Sequence, residues 1–204
     1  MTERAFEYCS LQYLNQWLEK DSNYCHVLAN GNKKEKLQIL KSAAGFYRIA
    51  RNLPTKFDQG QGLIRYEPVL EIIDTVTPQD FSNNTISRIR EIEKLLSEKY
   101  GRRTVLSLTT KFLWIKIKSP IIIYDSQARI AIGSENGDLE SYYDAWKAAF
   151  KENQKQIETA CRKLSNLTLY TVNPYIDSEY ISEVSSNDWF HERVFDIYLW
   201  NKGN

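Results

Sequence analysis

Two side chains in this 204-residue sequence have the types and spacing for covalent chemistry, the amine of Lys111 and, fourteen positions later, the carboxylate of Asp125. An amine that is kept from water can attack an electrophilic carbon and form an imine, and a carboxylate near the same carbon stabilises positive charge that develops there. Both residues lie in the stretch from Thr104 to Gly133, TVLSLTTKFLWIKIKSPIIIYDSQARIAIG.

The surrounding pattern says how the pair is carried. Val105, Leu106, Leu108, Phe112, Leu113, Trp114, Ile115 and Ile117 cover almost every face of a helix, which predicts burial at the centre of a domain. Ser119-Pro120 ends that helix, because proline lacks the next amide N–H and pushes the preceding residue toward extended geometry. Ile121, Ile122, Ile123 and Tyr124 then read as a short buried extended segment, and Asp125-Ser126 as the start of a helix built on Ala128, Ile130, Ala131 and Ile132. Lys111 has a simpler reading beside the catalytic one, a stem lying on apolar surface with its ammonium in water. Asp125 likewise has the reading of an N-cap worth about 1 kcal/mol.

The stretch TTKFLW, followed by SPIIIYDSQARIAI, resembles the lysine and aspartate region of the helix-hairpin-helix DNA glycosylase superfamily, in particular the compact prokaryotic 8-oxoguanine DNA glycosylase-like proteins. In that superfamily a helix carries a Schiff-base lysine, an apolar segment follows, and an aspartate begins the next helix. Lys111 and Asp125 occupy those positions. Leu108, Thr109 and Thr110 stand where a Gly-hydrophobic-Gly hairpin turn is usual, Gly101 is the only glycine nearby, and the lysine and aspartate are several residues closer together than in the better-known members.

The resemblance implies a mostly α, compact helical domain spanning residues 1–204, with a degenerate hairpin. It implies excision of a damaged or modified base from double-stranded DNA by base flipping, with or without strand cleavage, in repair or in defence against phage with modified DNA. Lys111 and Asp125 would be catalytic, with no metal and no cofactor. Arg48, Arg51, Gln61, Arg102, Arg103 and Arg129 are the candidate DNA contacts, and Trp114, Tyr124, Tyr143 and Trp146 the candidate base pocket. Several have a plain alternative: Arg48 and Arg51 pair with internal carboxylates, the Gln61 loop is ordinary surface, and Tyr143 and Trp146 are core. The competing class of function is a catalytically silent DNA-binding or protein-interaction module on the same fold.

Composition sets the frame. With 42% hydrophobic and 26% charged residues the chain is expected to fold as one domain, and as a monomer. The sequence has no run of about 18 apolar residues, and MTERAFEYCS lacks signal-peptide features, so a cytoplasmic protein without membrane partners is expected. Cys9, Cys25 and Cys161 are too scattered for a four-cysteine iron–sulfur site, and His26 and His191 have no zinc-like spacing. The net charge is only +1, but from Lys33 to Arg65 eight basic residues face two acidic ones, an excess of 8 − 2 = 6, whereas the tail is acidic. That asymmetry provides one face able to approach phosphates.

Helical periodicity extends over the rest. Ala5, Tyr8, Leu11, Leu14 and Leu18 predict a first helix, and Leu37, Leu40, Ala44 and Tyr47 a second after the Asn30-Gly31-Asn32 turn. Arg48 and Arg51 are expected to share a helix face. Pro68 starts a short helix, Ile86 to Tyr100 is amphipathic with Ile86, Ile89, Ile92, Leu95 and Leu96 inward, and Gly101 stops it. Tyr142, Tyr143, Trp146, Ala149, Phe150, Gln156, Ala160 and Leu164 line a long helix, and Trp189 to Trp200 a last one.

Overall fold

The computed structural model describes residues 5–53, 62–135 and 137–204, and among them every regular element is helical. The mostly α expectation therefore holds, and no described helix is long and apolar enough to cross a membrane. Among the described residues ten α-helices follow in order: α1 (Phe6–Gln16), α2 (Ser22–Asn30), α3 (Lys33–Phe46), α4 (Glu67–Ile73) and α5 (Thr85–Lys99). Then come α6 (Leu106–Ile117), α7 (Ser126–Ala131), α8 (Leu139–Arg162), α9 (Ser178–Ser185) and α10 (Asp188–Gly203). They form two compact units, one of Ser22–Ile123 and one of the segments up to Asp21 and from Tyr124 onward.

In the Ser22–Ile123 unit, α6 packs against α2, α4 and α5. Its burial is nearly all-round: Leu106 and every residue from Leu108 to Ile115 is buried. A capping box starts α3, in which the Asn32 side chain accepts from the Glu35 amide at 3.1 Å and the Asn32 amide donates to Glu35 Oε2 at 2.8 Å. On α5 the inward stripe is Ile89, Ile92 and Leu96, while Leu95, expected inside, is 47% exposed. A 3.6-residue period admits Leu96 after Ile89 and Ile92 and turns its neighbour out.

Arg48 and Arg51 do not share a helix face. The α3 helix ends at Phe46 in a Schellman motif: Ile49 N–H donates to Ala44 O at 2.9 Å, Arg48 N–H to Gly45 O at 3.1 Å, and Arg48 holds φ at 56°. Burial of Ile49 fixes that turn in place of a glycine, and Arg51 falls in a separate 3-10 turn, Ala50–Asn52.

The other unit is built on α10, which packs against α1, α7, α8 and α9. Three aromatic pairs join α1 and the π-helical turn after it to α10: Phe6–Tyr198, Tyr13–Phe190 and Trp17–Trp189, with ring centroids 4.5, 4.9 and 4.6 Å apart. The buried face of α1 is thus Phe6, Cys9, Tyr13 and Leu14, and Tyr8 from the expected stripe is half exposed. Two aromatics remove more apolar area from water than Ala5 and Leu11 would. On α8 the inward residues of the later turns are Ile157, Ala160 and Cys161, and Gln156 is exposed. The three cysteines form no disulfide, and Cys9 and Cys161 are buried; burial pushes the Cys161 thiol up to about 12.

Candidate active site

Lys111 sits in the middle of α6 and is 6% exposed. Its ammonium donates to Ser107 Oγ, one turn back, at 3.2 Å. Side-chain to main-chain bonds satisfy the threonines beside it: the Thr109 hydroxyl donates to Val105 O at 3.0 Å and the Thr110 hydroxyl to Ser107 O at 3.3 Å. Trp114, from the expected base pocket, is 1% exposed on the next turn.

The three residues expected at the hairpin, Leu108, Thr109 and Thr110, lie inside α6. The connection between α5 and α6 runs instead through Gly101 to Val105. Arg102 N–H donates to Ser97 O at 2.7 Å, Ser97 Oγ to Arg103 O at 2.8 Å, and Gly101 and Arg102 adopt φ of 76° and 61°. A left-handed Gly101 costs nothing sterically, and Arg102 follows it into the same region. Both arginines are exposed, as a pair that meets phosphates must be. Arg48 and Arg51 are exposed in the same unit. Gln61 lies outside the described residues.

Asp125 belongs to the other unit. As expected it is an N-cap: backbone φ −122° and ψ 142°, with Oδ1 accepting the Gln127 amide at 3.0 Å, at the start of α7. The segment before it, Ile121 to Ile123, is buried and non-helical, again as the pattern predicts, and the Ser119–Pro120 peptide is cis. Arg129 lies over the Tyr124 ring at 4.8 Å while its Nε donates to Ser134 O at 3.2 Å. Tyr124 in turn meets the edge of Tyr142 at 5.2 Å between centroids.

Of the expected pocket aromatics on α8, Tyr143 and Trp146 are 1% and 2% exposed. Trp146 stacks on Phe150 and donates its indole N–H to Asp196 Oδ1 at 2.9 Å. The sequence reading missed Asp196: Arg193 NH1 donates to its other oxygen at 2.7 Å, and both residues are buried. Their spacing of three on a helix was the available signal. Burial pushes the Asp196 carboxyl up, Arg193 and Trp146 pull it back, and the Asp125 charge pushes it further up. Tyr142 is raised well above its ordinary value by burial, then by Asp196 and Asp125. The Asp125 charge thus adds to burial in opposing ionisation of both Asp196 and Tyr142.

Among the described residues no three His, Cys, Asp or Glu side chains come together in a metal-binding group. The structure thus assigns Lys111, Trp114, Arg48, Arg51, Arg102 and Arg103 to one unit and Tyr124, Asp125, Arg129, Tyr143 and Trp146 to the other. No family model matches the sequence, and no curated protein or solved structure matches it closely enough to carry an argument.

Proposed function

We propose that the chain is a DNA glycosylase of the helix-hairpin-helix type, acting on a damaged or modified base. The observation that carries this reading is Lys111, an amine 6% exposed in the middle of the most apolar helix. In the reaction the nucleotide is flipped out of the duplex. The bond from the sugar anomeric carbon to the base breaks, the base leaves with the electron pair, and a carboxylate, the role that the resemblance gives to Asp125, stabilises the positive charge at that carbon. Lys111 bonds to the carbon as a neutral amine, the sugar ring opens to an imine, and β-elimination then cleaves the strand. Arg102 and Arg103, exposed on the α5–α6 turn, together with Arg48 and Arg51, hold phosphates.

The second reading, a catalytically silent DNA-binding or interaction module, is favoured by two observations. Asp125 already has a structural task at Gln127, and the hairpin positions are helical. Borohydride added to the protein with duplex DNA carrying either 8-oxoguanine or an abasic site separates the two. The enzyme reading expects a covalent protein–DNA adduct, absent in Lys111→Gln, because reduction fixes the imine. An adduct that persists in Lys111→Gln places the chemistry on another amine. Excision of the base without any adduct makes water the nucleophile, and neither excision nor adduct on any modified duplex leaves the silent module.

A further inference from the structure

Between α8 and α9 the chain makes two 3-10 turns, Leu164–Asn166 and Thr168–Tyr170, and then runs to Asp177. Four large apolar side chains point outward from this short connection: Leu169, Tyr170, Val172 and Tyr175, at 79%, 69%, 54% and 96% exposure. Single exposed apolar residues are ordinary on a protein surface, whereas a contiguous group of them marks a place where something binds.

The backbone beneath them is firmly held. Asn15 on α1 reaches across with both ends of its amide, Nδ2 donating to Tyr170 O at 3.3 Å and Oδ1 accepting the Val172 amide at 2.7 Å. The buried Thr171 hydroxyl lies 2.8 Å from the carbonyl oxygens of both Thr168 and Asn173 and donates to one at a time. The Tyr175 amide donates to Asn173 Oδ1 at 3.2 Å. A loop fixed in this way presents its side chains with little left to order on binding, which lowers the entropic cost of association.

Charge decides what fits. From Leu164 to Glu192 there is no lysine or arginine, while Asp177, Glu179, Glu183, Asp188 and Glu192 are all acidic. Glu179 and Glu183 stand one turn apart on α9 and are exposed, with Ile181 and Val184 turned to the core. Lys163, just before this connection, is paired with Glu7 at 2.9 Å, and the acidic side chains that follow disfavour phosphate, and with it nucleic acid and anionic lipid, and attract lysine and arginine. We propose that this loop docks a partner protein through a segment that combines apolar side chains with lysines or arginines. The surface is independent of any DNA chemistry at Lys111 and Asp125.

The test uses a displayed library of random peptides, panned on the immobilised full chain in parallel with the triple variant Leu169→Ser, Tyr170→Ser, Tyr175→Ser. These residues are exposed, so the variant keeps its fold, as circular dichroism will show. The expected result is enrichment, on the parent only, of sequences that mix Lys or Arg with apolar residues. A synthesised winner should bind at least about tenfold more weakly to Glu179→Gln, Glu183→Gln, and more weakly at high salt. No enrichment, equal enrichment on the triple variant, or enrichment of acidic peptides would overturn the proposal. So would sedimentation showing a dimer that the triple variant abolishes, because the occupant is then a second copy of the chain.

Discussion

A Cβ on Gly203 would run into the carbonyl group of Gln127, so the last turn of α10 rests backbone against backbone on the first turn of α7. Gly45, in the last turn of α3, has nothing within 4 Å of the same position. Opposite outcomes are expected from one chemical change. Gly203→Ala should destabilise by about 1–3 kcal/mol through forced backbone movement. Gly45→Ala should stabilise by up to about 1 kcal/mol by restricting the unfolded chain. Urea denaturation of the two variants checks both, and a neutral Gly203→Ala would mean that the close contact is not made in solution.

Asp74 is held by two lysines, with Lys36 Nζ 2.7 Å and Lys116 Nζ 3.1 Å from Oδ1. Burial alone would raise its carboxyl, but the hydrogen bonds and charges of Lys36 and Lys116 outweigh that and hold it below the ordinary range. A lowered folded value means that the clamp contributes fully above the unfolded carboxyl's ordinary value of about 3.9 and is lost as pH falls through the folded value. The group is partly exposed, so Asp74→Asn should cost no more than about 1 kcal/mol at neutral pH. That difference from the parent should close in strongly acidic buffer, and a cost that grew on acidification would contradict the assignment.

Asp125→Asn separates capping from charge. Asparagine keeps an oxygen for the Gln127 amide, so thermal stability should change by less than about 1 kcal/mol. Under the glycosylase reading, excision rate should nevertheless fall by two or more orders of magnitude, on the order of 3 kcal/mol of transition-state stabilisation. Single-turnover kinetics on a duplex that the parent processes gives the answer.

The exposed turn between α5 and α6 is tested through salt. If Arg102 and Arg103 meet phosphates, replacing both by alanine should reduce the slope of log affinity against log salt by about two for duplex DNA. An unchanged slope would remove the turn from the DNA-binding face.

What could be read from the sequence follows how strongly each local pattern decides burial. The dense apolar pattern of α6, the stop at Pro120 and the N-cap at Asp125 were legible because no competing arrangement uses those residues so well. On α1 two apolar stripes overlap, and the choice fell to aromatic pairing with α10, a long-range contact that no local pattern reports. The short α9 carries only Ile181 and Val184 inward among carboxylates, too few to reveal a helix. Arg48 reads as helical in a basic stretch, yet the burial of Ile49 two positions beyond the cap sets the turn. The Arg193–Asp196 pair was hidden by its apolar neighbours, which made α10 look like a surface helix docking by one side.

The all-round burial of α6 has a genetic counterpart. In a scan of every substitution, α8 should show tolerance rising and falling with the helical repeat, since Tyr142, Tyr143, Trp146, Ile157, Ala160 and Cys161 are buried while the residues between them meet water. From Leu108 to Ile115 no such rhythm is available, and polar replacements should be rejected at every position in turn. Lys111 would then stand as a native charge inside a block that accepts no other. If it served packing alone, methionine, of similar length and without the charge, should be among the replacements the block accepts most readily.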